Sequence, residues 1–105
     1  IHFLQGNFDS LLPELLQNLN SVDLAYIDGN HSQEATLRYF EALLQKINPN
    51  SVLVFDDIYW SEGMHRAWEE IKKHPRVSLS IDTFYSGYVF FREEIKEKQH
   101  YRFLI

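Results

Sequence analysis

Two adjacent carboxylates close the apolar run Ser51-Val52-Leu53-Val54-Phe55-Asp56-Asp57. Charge beside a buried strand costs free energy unless something compensates it, which makes Asp56 and Asp57 candidate ligands. A second acidic strand end precedes them, where "VDLAYID" finishes at Asp28 and Gly29, Asn30 and His31 follow. Three carboxylates plus water suit Mg²⁺, Mn²⁺ or Ca²⁺, which prefer oxygen ligands. His31 would stand at the edge of such a site, placed to act as a general base. Tyr59 and Trp60, directly after the acidic pair, offer an aromatic wall for a substrate or, equally, a cover for the edge of the core. Each residue alone has a plainer reading. An acidic residue after a strand often caps a turn, and a lone loop histidine is more often surface than catalytic. Joint placement on one rim favours the site.

Strand-like and helix-period segments alternate along the chain. "IHFLQG" reads as a strand, and Gly6, Asn7 and Asp9 supply a turn. Leu12, Leu15, Leu16 and Leu19 share a helical face, with Pro13 in the first turn. After the strand ending at Asp28, Ser32 is placed to cap a helix carrying Leu37, Phe40, Leu43, Leu44 and Ile47, with Glu34 in its first turn. "NPN" at 48–50 stops it, Pro49 disfavouring helix at Asn48 and asparagine tolerating left-handed dihedrals. The near-continuous apolar run before Asp56 is the pattern of a strand buried on both faces.

Ser61 then caps a helix with Met64, Ala67, Trp68 and Ile71 on its inner face, and Pro75 closes it. "RVSLSID" alternates Val77, Leu79 and Ile81 with Ser78 and Ser80, so one face is expected to be wet. "GYVFFR" is a last strand, joined hairpin-fashion through Ser86-Gly87. The tail from about 93 to 105 has no assigned element, and its "EEIKEK" reads as a solvated charge run. The order of elements means an α/β layered fold with a mostly parallel sheet and a final antiparallel strand. Right-handed crossovers put Gly6-Asn7, Asp28 to His31 and Asp56-Asp57 on one rim, where such sheets bind ligands.

The 105 residues, 45% hydrophobic, suffice for one core but not two domains. A formal charge of -5 and scattered Lys and Arg argue against nucleic acid as a partner. No cysteine is present, which excludes disulfides and fits a reducing, cytoplasmic setting. No apolar run reaches the roughly 20 residues of a membrane helix. The remaining histidines, His2, His65, His74 and His100, show no metal-ligand spacing with one another.

"IHFLQGNFDSLLPELL", "VDLAYIDGNHSQEATLRYF", "LLQKINPNSVLVFDDIYWSEGMHRAWEEI" and "GYVFFR" resemble the later half of a class I S-adenosylmethionine-dependent methyltransferase. The likeness is to metal-dependent O-methyltransferases and relatives acting on sugars and antibiotics, and covers the chain to about Arg92. It implies a Rossmann-like three-layer fold and transfer of a methyl group to a small-molecule hydroxyl. In that family Asp28, Asp56 and Asp57 would hold a divalent metal such as Mg²⁺, and His31 would be the base. Asn7 stands where the family has Asp or Asn near the cofactor's adenine; Gly6, Phe8 and Asp28 complete the cofactor side. The family's Gly-Gly after Pro is here Asn50-Ser51, a change a left-handed Asn50 would accommodate.

The family's glycine-rich loop has no counterpart, since the four glycines form no Gly-x-Gly. The chain also begins at Ile1, already strand-like. It is therefore expected to be one partial domain, the C-terminal portion of such an enzyme, with weak or no affinity for S-adenosylmethionine on its own. Without the neighbouring strand of the family's sheet, "VDLAYID" would be an apolar edge prone to pair with a second copy, unless the first strand fills the gap.

Other functions remain open. A receiver-type phosphoacceptor is disfavoured because its acidic pair precedes its lone Asp and its later Lys is absent from "SLSIDTFYS". A non-catalytic α/β association module is the serious rival, and a metal-dependent hydrolase could use the same carboxylates.

Overall fold

A computed structural model describes residues 16–17, 19–27 and 32–103. Their elements are β1 (Val22–Ile27), α1 (Gln33–Leu44), β2 (Ile47–Asp56), α2 (Glu62–Lys73), β3 (Leu79–Asp82), β4 (Ser86–Phe90) and β5 (Gln99–Arg102).

Both helices start where the sequence expects. The Ser32 hydroxyl accepts the Ala35 N–H at 3.0 Å and the Ser61 hydroxyl accepts that of Met64 at 3.1 Å. Each cap satisfies an orphan donor of the first turn, and Glu34 and Glu62 there complement the helix dipole. The expected inner face of α2, Met64, Ala67, Trp68 and Ile71, is buried. In α1 the buried set is Ala35, Thr36, Tyr39, Phe40, Leu43 and Leu44. Ile47 leaves the helical series and opens β2, paired with Val22, because the chain turns at Gln45–Lys46 and the Lys46 carbonyl takes the Val22 N–H at 2.7 Å.

The expectation of a left-handed Asn50 is corrected. Among the described residues Asp57 is the one non-glycine with positive φ, at 55°. The extra residues of "NPNS" are absorbed as a bulge: the register jumps from Val22–Ile47 to Leu24–Val52. Side chains satisfy the backbone there. Ser51 accepts the Asn48 N–H at 2.8 Å and donates to the Val22 carbonyl, while the Asn48 side chain accepts the Asn50 N–H at 2.8 Å. Asn48 also donates to Asp23 at 2.9 Å.

The five-stranded sheet has the order β1-β2-β4-β3-β5. β1 runs parallel to β2 and β3 to β5, whereas β4 is antiparallel to both its neighbours. The expected antiparallel pairing of the last two strand-like segments is present, but β4 lies inside the sheet, so the sheet is mixed rather than mostly parallel in its pairings. The tail without an assigned element supplies β5.

Phe40 and Tyr39 of α1, Trp68 and Ile71 of α2, and Leu53, Phe55 and Val89 of the sheet form one buried cluster. Phe40 meets Phe55 edge-on at 6.0 Å, and Phe55 lies 6.3 Å from Trp68. Because strand side chains alternate, Leu24, Tyr26 and Tyr101 fall on the other face, where they are largely exposed. Among the described residues the two helices α1 and α2 pack on the face that carries Leu53, Phe55 and Val89. β1 is the outermost described strand on its side.

β3 has one drier and one wetter face, and the drier one is polar. Ser80 and Asp82 are buried while Leu79 and Ile81 are only partly so. The helix-facing side of β3 is polar because partners from α2 and β5 meet it there. No helix of the described residues is long and apolar enough to cross a membrane.

Candidate functional site

Asp56 ends β2, and the register brings its neighbourhood into view. Phe55, just before it, pairs with Ile27, the last residue of β1, while Asp56 itself pairs with Ser86 at the start of β4. Asp28 and His31, which follow Ile27, lie outside the described residues, as do Gly6, Asn7 and Phe8. The parallel β1–β2 pair thus opens its C-terminal end at Asp56 and Asp57, as the sequence expects. Asp56 Oδ1 accepts the Ser86 hydroxyl at 3.3 Å and the residue is only partly buried.

Asp57 turns the chain off the sheet in a left-handed conformation. That geometry is uncommon outside glycine, and Asp tolerates it better than most residues. Its carbonyl accepts the Trp60 N–H at 3.0 Å, and the next residue, Ile58, donates its N–H to the Tyr85 carbonyl at 3.1 Å. Ile58 is buried at 1% exposure, so it anchors a loop whose next two residues stay out. Tyr59 is 40% and Trp60 66% exposed, so Trp60 projects from the surface while Tyr59 is partly covered. The Tyr59 ring leans on His65 at 5.3 Å. Phe84 and Tyr85, on the β3–β4 turn, are also exposed, so the rim around Asp56 is aromatic. No group of three or more metal-ligating side chains occurs among the described residues.

A third carboxylate shares this rim. Asp82, at the C-terminal end of β3, is wholly buried. Trp68 Nε1 donates to its Oδ2 at 3.1 Å, Arg102 Nε to its Oδ1 at 2.8 Å, and His100 Nε2 lies 3.3 Å from Oδ2. His100 Nδ1 meets the Ser80 hydroxyl at 2.7 Å. Burial alone would raise the Asp82 pKa. The hydrogen bonds from Arg102 and Trp68, with the Arg102 and His100 charges, outweigh it and hold the carboxyl below its ordinary range. Tyr59 feels the same centre: burial first, then the Asp82 charge, push its phenol above its ordinary value.

This network was not anticipated from the sequence. A signal was present, since "LSID" ends in an acidic residue as "VFD" does, and the i, i+2 pair Ser80/Asp82 is matched by His100/Arg102. Only the pairing of β5 with β3 makes the match visible.

In α/β sheets the C-terminal ends of parallel strands are where ligands commonly bind, and this rim carries carboxylates. The comparison with known families is more specific. The model of a methyltransferase domain matches residues 1–58, more than half of the 105-residue chain and through the acidic pair, and the chain belongs to that family. No curated protein and no solved structure matches it.

Proposed function

We propose that this chain is the C-terminal portion of an S-adenosylmethionine-dependent methyltransferase that methylates a hydroxyl of a small molecule with the help of a divalent cation. The observation that carries the reading is the extent of the family match. It includes Asp28, His31, Asp56 and Asp57, and β1 and β2, which precede them, run parallel and in register at their C-terminal ends.

In this reading Asp56 and Asp57, with Asp28, hold the cation, an all-oxygen donor set suited to Mg²⁺. A cation so bound would lower the pKa of the acceptor hydroxyl and orient it. His31 would take the hydroxyl proton, and bound S-adenosylmethionine would supply an electrophilic methyl group for that oxygen, with its neutral thioether as the leaving group. Gly6, Asn7, Phe8 and Asp28 form the cofactor side. Tyr59 and Trp60 wall the acceptor and keep nucleophile and methyl carbon in line.

The test is methyl transfer from labelled S-adenosylmethionine to a panel of sugar and phenol hydroxyls, with Mg²⁺ and with a chelator, in the protein that contains this chain. Metal-dependent transfer lost in Asp28→Asn and Asp56→Asn supports the reading. Unchanged function in those variants supports the association module, and metal-dependent hydrolysis without methyl transfer supports the hydrolase. For the 105 residues alone, with no Gly-x-Gly, titration calorimetry should show little S-adenosylmethionine binding; micromolar affinity would overturn that part. Pairing of two copies through β1 belongs to the same proposal, and a monomer by light scattering at high concentration would count against it.

A further inference from the structure

β5 is joined to the protein almost without apolar burial. All four residues, Gln99–Arg102, are exposed. Backbone bonds tie it to β3, including Gln99 N–H to the Ser78 carbonyl at 3.0 Å and Phe103 N–H to the Asp82 carbonyl at 2.9 Å. The rest is polar. Arg102 and His100 meet Asp82, His100 meets Ser80, and Lys98 Nζ donates to the Lys72 and His74 carbonyls at 2.7 Å each. An edge strand with exposed backbone bonds and no apolar anchor opens at a free energy well below that of the core.

We propose that β5 is a detachable latch, which closes over Asp82 and the C-terminal end of α2 near neutral pH and leaves the edge of β3 in acid while the rest stays folded. The trigger is the placement of His100. Its neutral ring accepts the Ser80 hydroxyl at Nδ1 and donates from Nε2 to Asp82, tautomers assigned from these partners. Protonating Nδ1 takes away the acceptor of a hydroxyl whose residue is 1% exposed. His100 faces charge from every element around it: Lys72 and Glu69 of α2, Asp82 of β3, Arg102 of its own strand. It lines a surface cavity of about 390 Å³ with Glu69, Lys72, Lys73, Ser80 and Lys98.

Burial first, then Lys72 and Arg102, disfavour the imidazolium; Asp82 and Glu69 favour it and are outweighed, so the docked pKa lies below the ordinary 6.5. The undocked strand keeps the ordinary value, so the open form takes up the proton more readily. Below 6.5 the open-to-closed ratio therefore rises as pH falls, by up to about tenfold per pH unit until the docked ring also titrates. Salt acts in the same direction on Arg102, whose side chain is 51% exposed.

Amide hydrogen exchange on the protein that contains this chain, between about pH 8 and pH 5 and corrected for intrinsic exchange, tests this. Residues 99–103 should lose protection toward the acid end while β2 and β4 keep theirs. His100→Gln should flatten that pH dependence, and Arg102→Gln should open β5 at every pH. Loss of protection in β5 and β2 together throughout, or full pH dependence retained in His100→Gln, would overturn the latch. If Arg102→Gln does not fold, the His100→Gln profile decides.

Discussion

Two carboxylate centres share one rim of this sheet and are built in opposite ways. Asp82 is fully buried, with Trp68, Arg102 and His100 gathered around its two oxygens. Asp56 is partly open and meets one described side-chain donor, Ser86 at 3.3 Å. A carboxylate whose lone pairs are taken up by the fold has become part of the structure. One that keeps acceptor capacity at the mouth of parallel strands is available for chemistry. The contrast assigns Asp82 to stability and leaves Asp56 as the carboxylate open to the proposed chemistry, and it can be broken by experiment.

The largest effect is expected at the open centre. If the proposed function holds, Asp56→Asn should lower metal-dependent methyl transfer at least about 100-fold, because a bound cation would contribute several kcal/mol. Its unfolding free energy should move by no more than about 0.5 kcal/mol. A large loss of stability in Asp56→Asn would erase the distinction. The closed centre should behave inversely. Asp82→Ala should cost about 2 kcal/mol in urea unfolding, less than a fully buried pair because Arg102 is half exposed. Its turnover should fall only with the folded fraction.

Gly87 joins the two regions, pairing with Phe55 on one side and Asp82 on the other. A Cβ built there lies 2.5 Å from the Trp68 ring. Gly87→Ala should therefore cost about 1–3 kcal/mol through overpacking, read by denaturation. A neutral result would mean that Trp68 shifts without loss.

pH sharpens the same contrast. His100 and Asp82 both titrate below their ordinary values in the folded chain, so the unfolded chain binds more protons in acid. Stability should be full above about 6.5, decline as His100 is driven toward protonation, and decline again below about 3.8 as Asp82 follows. Urea midpoints across that range check it, and midpoints that rise on acidification would contradict it. Asp57→Gly should change stability by less than about 1 kcal/mol. There the relief of the left-handed backbone offsets the greater freedom of glycine. Its methyl transfer should still fall, because a carboxylate is gone.

Much of this architecture is local and so was legible residue by residue. Ser32 and Ser61 cap helices because a hydroxyl three residues before a free N–H can reach it, whatever the rest of the chain does. Met64, Ala67, Trp68 and Ile71 face inward because spacing sets the face. Asp56 stood out because an apolar run ended in charge. The polar drier face of β3, the bulge at Asn48–Ser51 and the placement of 99–102 were not legible, since each depends on partners about 20 to 30 residues away.

The sequence by itself determined the helices, their caps, the apolar central strand and a carboxylate pair at its end, because spacing and local hydrogen bonding act within a few residues. Only the tertiary structure decided that Ser80 and Asp82 point inward and that a charged tail becomes an edge strand. A buried carboxylate is tolerated only where Trp68, His100 and Arg102 converge on it, and that convergence is made by sheet pairing rather than by any neighbour in the chain.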